Sequence, residues 1–404
     1  MTKSFFVATH VEHINNNSQY YAYSPYVREM NLWFKYVDEV KIVAPLISDQ
    51  PYIINSEYCH PNLNFTKIPS VQIKSLSGIL KTIIFFPVIF FKIFRGIATS
   101  NHIHLRCPGN IGLISSFVQI LFPNKIKTVK YAGNWDPNAS QPWSYRLQKW
   151  ILSNIFLSRN IKVLVYGDWP EQSKNIVPFF TASFSETEID LYNKDFTSPF
   201  KFIFVGSLSP GKRPLFAIKL IEALMGKGIP VKLEIYGSGV LKNELQEYIA
   251  TKNLDPFVRL MGNCKLEELK GVYKASHFLI LASQSEGWPK AVAEAMFFGC
   301  IPVASSVSCV PWMLGAPPAS RNKFGTGSEG GAKEITFAKR GVLAPPAPEG
   351  GANEKEWIEN LVNRIVELIK DTGEMKRKSM AAQEWSQEYT LEKFEDAVKE
   401  VLKF

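Results

Sequence analysis

The chain has 404 residues, 46% apolar and 21% charged, with a net charge of +9. This is the balance of an ordinary folded protein with room for two cores, and it excludes a disordered or low-complexity chain. Five cysteines, Cys59, Cys107, Cys264, Cys300 and Cys309, show neither metal nor disulfide-framework spacing, so a reducing, cytoplasmic setting is expected, with the thiols as small core residues.

The N-terminus opens on a strand pattern, Phe5-Phe6-Val7-Ala8, whose apolar stretch is too short for a signal peptide. Further strand-like runs follow at 40–44, 103–105, 128–131 and 163–166, with longer amphipathic stretches between them. The charge is uneven here. From Lys67 to Lys162 there are thirteen Lys and Arg against one acid, Asp136, so this segment carries +12 and the remainder nets −3. Such a bias points to an anionic partner. The same segment contains an apolar, Phe-rich run from Ile83 to Phe94, whose uncharged part is too short to span a bilayer. Two readings stay open for it: a buried helix covering a sheet, or a helix lying in the interface of an anionic membrane. Nucleic acid is not expected, because the aromatic residues cluster with aliphatics and do not interleave with the basic ones.

A polar run at 193–199 marks a boundary, after which the alternation repeats. Strands are expected at 202–205, 231–236, 258–260, 278–281 and 301–304, with helices over 215–224 and 241–250. This pattern predicts two α/β domains with parallel sheets, and a cleft at the carboxyl ends of their strands. Stretches 315–334 and 345–352, rich in Gly, Pro, Ala and Ser, read as loops. Near the end, Phe394, Ala397, Val398, Val401 and Leu402 share one helix face.

The most informative segment runs from Ser285 to Met296 and holds two glutamates, Glu286 and Glu294. It follows an apolar strand and leads into a helix expected to end at Gly299. Glu286 therefore falls on a strand-to-helix loop and Glu294 a turn or two into the helix, with Pro289 suited to the first helical position. A helix start beside a loop carboxylate suits a phosphorylated ligand bearing a sugar.

Gly206-Ser207-Leu208-Ser209-Pro210-Gly211-Lys212-Arg213 nearly spells a nucleoside triphosphatase phosphate loop, but Arg213 stands where a magnesium-binding Ser or Thr is needed. The loop still offers backbone and Lys212 to phosphates, and the bland alternative is a strand-to-helix turn with a solvated lysine. Gly237 and Gly239 follow a strand, but Lys242 replaces the third glycine of a dinucleotide fingerprint, so hydride transfer is not expected and a tight turn is the better reading. His102 and His104 in a strand, and His10 and His13 after the first one, lack a third metal ligand; no Asp-x-Asp pair is present, and no metal or other cofactor is expected.

Taken together, the Gly206–Arg213 loop, the paired glutamates with Ala295-Met296 after the second, Gly299-x-x-Pro302-Val303, and Arg340-Gly341-Val342-Leu343-Ala344 resemble the retaining nucleotide-sugar glycosyltransferases of family 4. The likeness is strongest from 201 to 305; the first 190 residues share only the layout. It implies the GT-B fold, two Rossmann-like domains facing across a cleft: 1–195 binding acceptor, 196–385 binding donor, and a C-terminal helix within 386–404 that packs back on the first domain. It implies that Glu294 takes the ribose hydroxyls, that Glu286 sits at the donor sugar near the reacting carbon, and that Lys212 stabilises the departing diphosphate. Gly206, Ser207, Arg213, Gly237, Gly287, Trp288 and Lys290 would complete the donor side.

Departures from the family pattern are Ser207, where an arginine is common, and Pro289, where a small residue is. No family histidine is evident in the first domain. Asn134 and Asp136 occupy a comparable place, and Arg106 and His10 are further candidates for the acceptor side. The expected activity is metal-independent hexosyl transfer from a nucleoside-diphosphate sugar to a glycan or polyprenyl-linked acceptor, as in capsule, exopolysaccharide or lipopolysaccharide assembly, peripheral to the inner membrane face. The alternatives are a non-catalytic nucleotide- or glycan-binding relative and a nucleotide-sugar epimerase of the same fold.

Overall fold

A computed structural model describes residues 2–52, 54–71, 76–316, 335–346, 348 and 351–402. Most of the loop expected at 315–334, and residues 347, 349 and 350 of the second, lie outside the described residues. The chain packs as two units. One comprises Met1–Trp135, Gln141–Thr181 and Glu392–Phe404; the other Asp136–Ser140 and Ala182–Leu391. The polar run at 193–199 thus falls inside the second unit. It reads as surface because Lys194 is counted as exposed, yet this lysine is buried and its Nζ donates to the carbonyls of Lys274 (2.8 Å) and Ser276 (2.7 Å).

The first unit runs β1 (Ser4–Ala8), β2 (His13–Asn16), β3 (Gln19–Tyr23), α1 (Ser24–Phe34), β4 (Glu39–Ile47), β5 (Asn55–Glu57), β6 (Leu63–Ile68), α2 (Leu76–Ala98), β7 (His102–Cys107), α3 (Asn110–Val118), β8 (Ile126–Tyr131), α4 (Trp143–Ser153), β9 (Ile161–Tyr166) and β10 (Ile176–Phe179). The sheet order is β10-β9-β8-β7-β1-β4-β2-β3-β5, with β6 also on β4. Pairing is parallel except at β2–β3 and β3–β5. The helix α1 covers one face and α2, α3 and α4 the other. On the α1 side Phe5 packs on Trp33, Phe34, His102 and His104. Both histidines are buried and share the Thr128 hydroxyl at 3.0 and 2.9 Å, which fits a structural role. On the other side Ile89, Ile93 and Ile97, one turn apart along α2, join Ile111, Ile114 and Leu152 over the sheet. Each such fully buried side chain contributes about 1.5–3 kcal/mol.

The second unit runs β11 (Phe200–Val205), α5 (Pro214–Gly226), β12 (Val231–Tyr236), α6 (Lys242–Thr251), β13 (Val258–Gly262), α7 (Leu266–Ala275), β14 (Phe278–Leu281), α8 (Lys290–Phe297), β15 (Ile301–Ser305), α9 (Val310–Met313), β16 (Thr336–Ala338) and β17 (Gly341–Ala344), then helices at Gly351–Lys370 and Thr372–Ser386. The order is β13-β12-β11-β14-β15-β17-β16, parallel but for β16–β17. The helix Leu391–Val401 follows; its Phe394 packs edge-on against Phe179 and Phe180 of the first unit's own core. Of the cysteines, Cys107, Cys300 and Cys309 are buried as expected, whereas Cys59 is exposed and Cys264 half-buried, because both sit in loops rather than under a helix.

Candidate functional site

Strand order reverses between β11 and β14. The strands after β11 build outward on one side and those after β14 on the other, so the loops at their carboxyl ends diverge and leave a crevice. The loop after β11 carries Lys212 and the loop after β14 carries Glu286. The Gln284 amide donates to the Gly211 carbonyl at 2.9 Å, fastening one loop to the other. Lys212 Nζ donates to Glu286 Oε1 in an ion pair, with the carboxylate side chain 8% exposed and the lysine 32%.

The backbone around this pair is unusual. Arg213 stands between a short 3-10 turn at Pro210–Lys212 and Pro214, the first residue of α5, and adopts a left-handed φ of +51°. Ser308 after β15 is also left-handed, at +50°. Ser308 Oγ and Cys309 Sγ each donate to the Gly287 carbonyl at 3.2 Å, so this strained turn holds the glutamate loop from behind. Strain of this kind in non-glycine residues collects at functional sites. Burial pushes the Cys309 thiol up to about 12, so it acts as a hydrogen-bonding wall and not as a nucleophile.

Two helices start at this crevice, α5 and α8. Neither start has a side-chain cap hydrogen bond or an acidic residue in its first turn, so no side chain there offsets the positive end of the helix dipole. Pro289 sits at the cap position, one residue before the first helical position expected for it. Gly299 closes α8 with φ +79°, as its role at the helix end requires. Glu294 lies one turn into α8 and is buried. Ser183 Oγ donates to its Oε1 at 2.6 Å and Tyr273 OH to its Oε2 at 3.0 Å. Burial and the neighbouring carboxylate push the Tyr273 phenol well above its ordinary range, so it remains a donor.

The other donor-side candidates fall around this crevice. The Gly206 amide donates to the Tyr236 carbonyl (2.9 Å) and the Leu208 amide to the Ser238 carbonyl (2.9 Å), lacing the β11 and β12 loops together. Gly237 is required by that lacing: at φ +140° a Cβ would lie 1.9 Å from the Gly206 carbonyl oxygen. Ser207 pairs hydroxyls with Ser209 at 3.2 Å. Trp288 turns inward and stacks on Trp385 at 6.0 Å, with Tyr389 edge-on, anchoring the loop that holds Glu286. Lys290 opens α8 half-exposed.

The first unit has its own switch point, between β1 and β7. A cavity of ≈ 240 Å³ opens there, lined by His10, Glu12, Gly109, Asn110 and Tyr145 among others. The His10 pKa is lowered, by burial first and by Arg106 second, so the imidazole is neutral at physiological pH. Arg106 itself is tied inward to Glu29 at 3.0 Å and lies over the Tyr26 ring. The Asn134 carbonyl accepts from Gln141 Nε2 at 2.6 Å. Asp136, grouped with the second unit, is buried and accepts from the Asn138 amide at 2.8 Å. Residues that sequence patterns did not flag are Ser183, Tyr273, Ser308 and Glu12. Each acts from a loop or a distant helix through one hydrogen bond or one cavity wall, which leaves no periodic signal. Among the described residues no cluster of three or more His, Cys, Asp or Glu has metal-binding geometry.

Comparison with known proteins agrees with this layout. Residues 187–315 match the family model described as glycosyl transferases group 1. An uncharacterised glycosyltransferase of Methanocaldococcus jannaschii is 29% identical over 196 residues, 46% of this chain and 46% of that protein. A Campylobacter jejuni GalNAc-alpha-(1->4)-GalNAc-alpha-(1->3)-diNAcBac-PP-undecaprenol alpha-1,4-N-acetyl-D-galactosaminyltransferase is 28% identical over 171 residues, 42% of this chain and 43% of that protein. The matched region thus spans less than half of each curated relative. Anabaena Alr3699/HepE in complex with UDP and glucose superposes with a TM-score of 0.62 at 14% identity, covering 99% of both chains. The fold is therefore that of the GT-B glycosyltransferases, and Lys212, Glu286 and Glu294 all lie within residues 187–315, the stretch that matches the group 1 glycosyl transferase model.

Proposed function

We propose that this chain is a retaining glycosyltransferase that moves a sugar from a nucleoside-diphosphate sugar to a glycan or polyprenyl-linked acceptor, in surface polysaccharide assembly at the inner face of an anionic membrane. The observation that carries this reading is the Lys212–Glu286 pair at a topological switch point, flanked by two uncapped helix starts, with Glu294 one turn into the second helix. The relatives support the substrate classes: the Campylobacter jejuni enzyme is named for an undecaprenol-linked glycan, and the Anabaena structure holds UDP and glucose.

In this reading the diphosphate lies at the starts of α5 and α8, and Lys212 exchanges Glu286 for phosphate oxygens. The bond between the anomeric carbon and the β-phosphate oxygen breaks as a bond from the acceptor hydroxyl forms on the same face. The acceptor proton leaves with the diphosphate. Lys212 and the helix amides stabilise the charge that grows on the leaving group, so no divalent metal is needed for that task. Glu286, released from Lys212, faces the positive charge developing on the sugar ring. Glu294 accepts from the ribose hydroxyls.

The test is hydrolysis of a panel of UDP-, GDP- and dTDP-sugars without acceptor, with thermal shifts for the corresponding nucleotides. One donor should be hydrolysed slowly, its nucleotide should raise the melting temperature, and a chelator should leave the rate unchanged. If no nucleotide shifts the melting temperature and no donor is hydrolysed, the reading fails. Rate loss with chelator, restored by magnesium or manganese, would overturn metal independence alone.

A further inference from the structure

The outer face of the α2–α4 layer in the first unit is apolar, basic and without a carboxylate. Along α2, Ile89, Ile93 and Ile97 turn inward. Every residue from 83 to 88 is exposed, so this stretch of the helix presents apolar side chains around its whole circumference. A helix apolar all round belongs in an apolar medium. Among the described residues no helix is long and apolar enough to cross a membrane, which leaves a surface, not a span.

The neighbours of α2 in the layer continue the pattern, and the Phe-rich run alone did not reveal this. The turn ending α3 exposes Phe117 and Leu121. At the two ends of α4, Trp143 and Trp150 are 65% and 59% exposed, and Phe156 just beyond is 75% exposed. So many large apolar side chains left exposed on three neighbouring helices and their turns point to an interaction surface. Arg95 on α2, Arg146 on α4 and Arg159 just beyond it are exposed as well. From residue 76 to residue 162 the one acid is Asp136, and it is buried. Exposed tryptophans flanked by arginine and lysine suit the headgroup level of a bilayer, where one end of the ring is wet and the other apolar.

We propose that this three-helix layer is a lipid-docking surface that seats the first unit on an anionic bilayer, with residues 83–88 of α2 among the acyl chains and Trp143 and Trp150 at headgroup level. A second copy of the chain is a poorer occupant, because two such faces would oppose like charges with no carboxylate to relieve them. The proposal extends the glycosyltransferase reading by naming the surface that meets the membrane, but lipid binding itself does not depend on catalysis.

The experiment is co-sedimentation of the full chain with phosphatidylcholine vesicles, with and without phosphatidylglycerol, and with UDP titration and light scattering on the same preparations. Wild type should bind the anionic vesicles, bind neutral ones weakly and be released only in part by salt, because the apolar contribution is not screened. Ile84→Ser with Phe91→Ser, and separately Trp143→Ser with Trp150→Ser, should each lower the partition coefficient about tenfold or more. Arg146→Glu with Arg159→Glu should lower it about fivefold per residue on anionic vesicles. All three double variants should retain UDP affinity. Brominated lipid should quench wild-type tryptophan fluorescence, a readout that needs no variant to fold. Absence of binding to anionic vesicles, or absence of quenching, overturns the proposal. So does a wild-type dimer that the serine variants dissolve in the absence of lipid, which would assign the face to a second copy. Vesicle binding without UDP binding would sink the catalytic reading and leave the surface standing.

Discussion

Both units are parallel sheets with a switch point, and they put different chemistry there. In the second, a lysine and a glutamate pair across the β11 and β14 loops beside two bare helix starts. In the first, the same topological position is a cavity with a neutral histidine, a glutamate and an asparagine. The sheet decides where a site can form, and the loop residues decide what it binds. Positive charge concentrated at helix starts suits a diphosphate. A cavity of hydrogen-bonding groups without a lysine suits hydroxyls. The units differ again in where polar groups are stored: five of the six histidines, His10, His13, His60, His102 and His104, belong to the first, and only His277 to the second.

The largest expected effect lies in the second unit. Glu286→Gln should lower transfer by about 10²–10³ or more while UDP affinity barely changes, since in the proposed mechanism Glu286 carries the charge that faces the reacting centre. Near wild-type turnover of this variant would remove Glu286 from the mechanism.

The histidines should make the first unit the acid-sensitive one. Burial lowers the His13 pKa to about 4 and the His102 pKa to about 3, and puts His104 well below the ordinary range. As pH falls through 6.5 the unfolded chain takes up these protons and the folded unit does not. Stability is therefore lost from about pH 6.5 downward, at about 2 kcal/mol for each histidine by pH 5. Hydrogen exchange at pH 7 and pH 5 should show protection falling in β7 and β8 before it falls in β11 and β14. Equal loss in both units would contradict the contrast.

A smaller pair of effects should have opposite signs. Tyr273 is fully buried and fixes one oxygen of Glu294, whereas Ser183, half-buried, occupies the other. Tyr273→Phe should weaken UDP binding about tenfold, as loss of a hydrogen bond to a charged group does, and should erode discrimination between UDP and its 2′-deoxy analogue. Ser183→Ala should leave that discrimination intact and tighten UDP binding slightly, because in the proposed mode Ser183 would compete with the ribose for Glu294. Two changes of the same sign would show that both hydroxyls merely hold the carboxylate.

The contrast between units also explains what was legible in the sequence. The strands β1, β14 and β15 are short apolar runs buried at every position and stand out for that reason, while β4, β7–β9 and β11–β13 keep enough apolar residues between their polar ones to be read. The strands β2, β3 and β5 did not, because they extend the sheet at its edge with residues such as Asn15, Gln19 and Asn55 that are not buried. Buried lysines misled in the other direction. Lys127 and Lys130 lie inside β8, one donating to the Gln119 and Phe122 carbonyls and the other set over Tyr166 and Phe179, yet both count toward the basic surface in a tally of charge. For the Phe-rich run, the buried-helix reading holds for one face of the second half of α2, Ile89, Ile93 and Ile97, while residues 83–88 are exposed. At the site, Lys212, Glu286 and Glu294 were legible because their loops follow strong strands. Ser183 and Tyr273 were not, because a single hydrogen bond across 111 or 21 residues has no local pattern.

The central claim is that Lys212 and Glu286 mark a nucleoside-diphosphate site. Calorimetric titration of UDP and of uridine into wild type and Lys212→Ala tests it most directly. The account predicts that UDP binds wild type far more tightly than uridine does, and that Lys212→Ala loses most of that difference while its affinity for uridine is unchanged. UDP binding that is absent from wild type, or equal in wild type and Lys212→Ala, would contradict it.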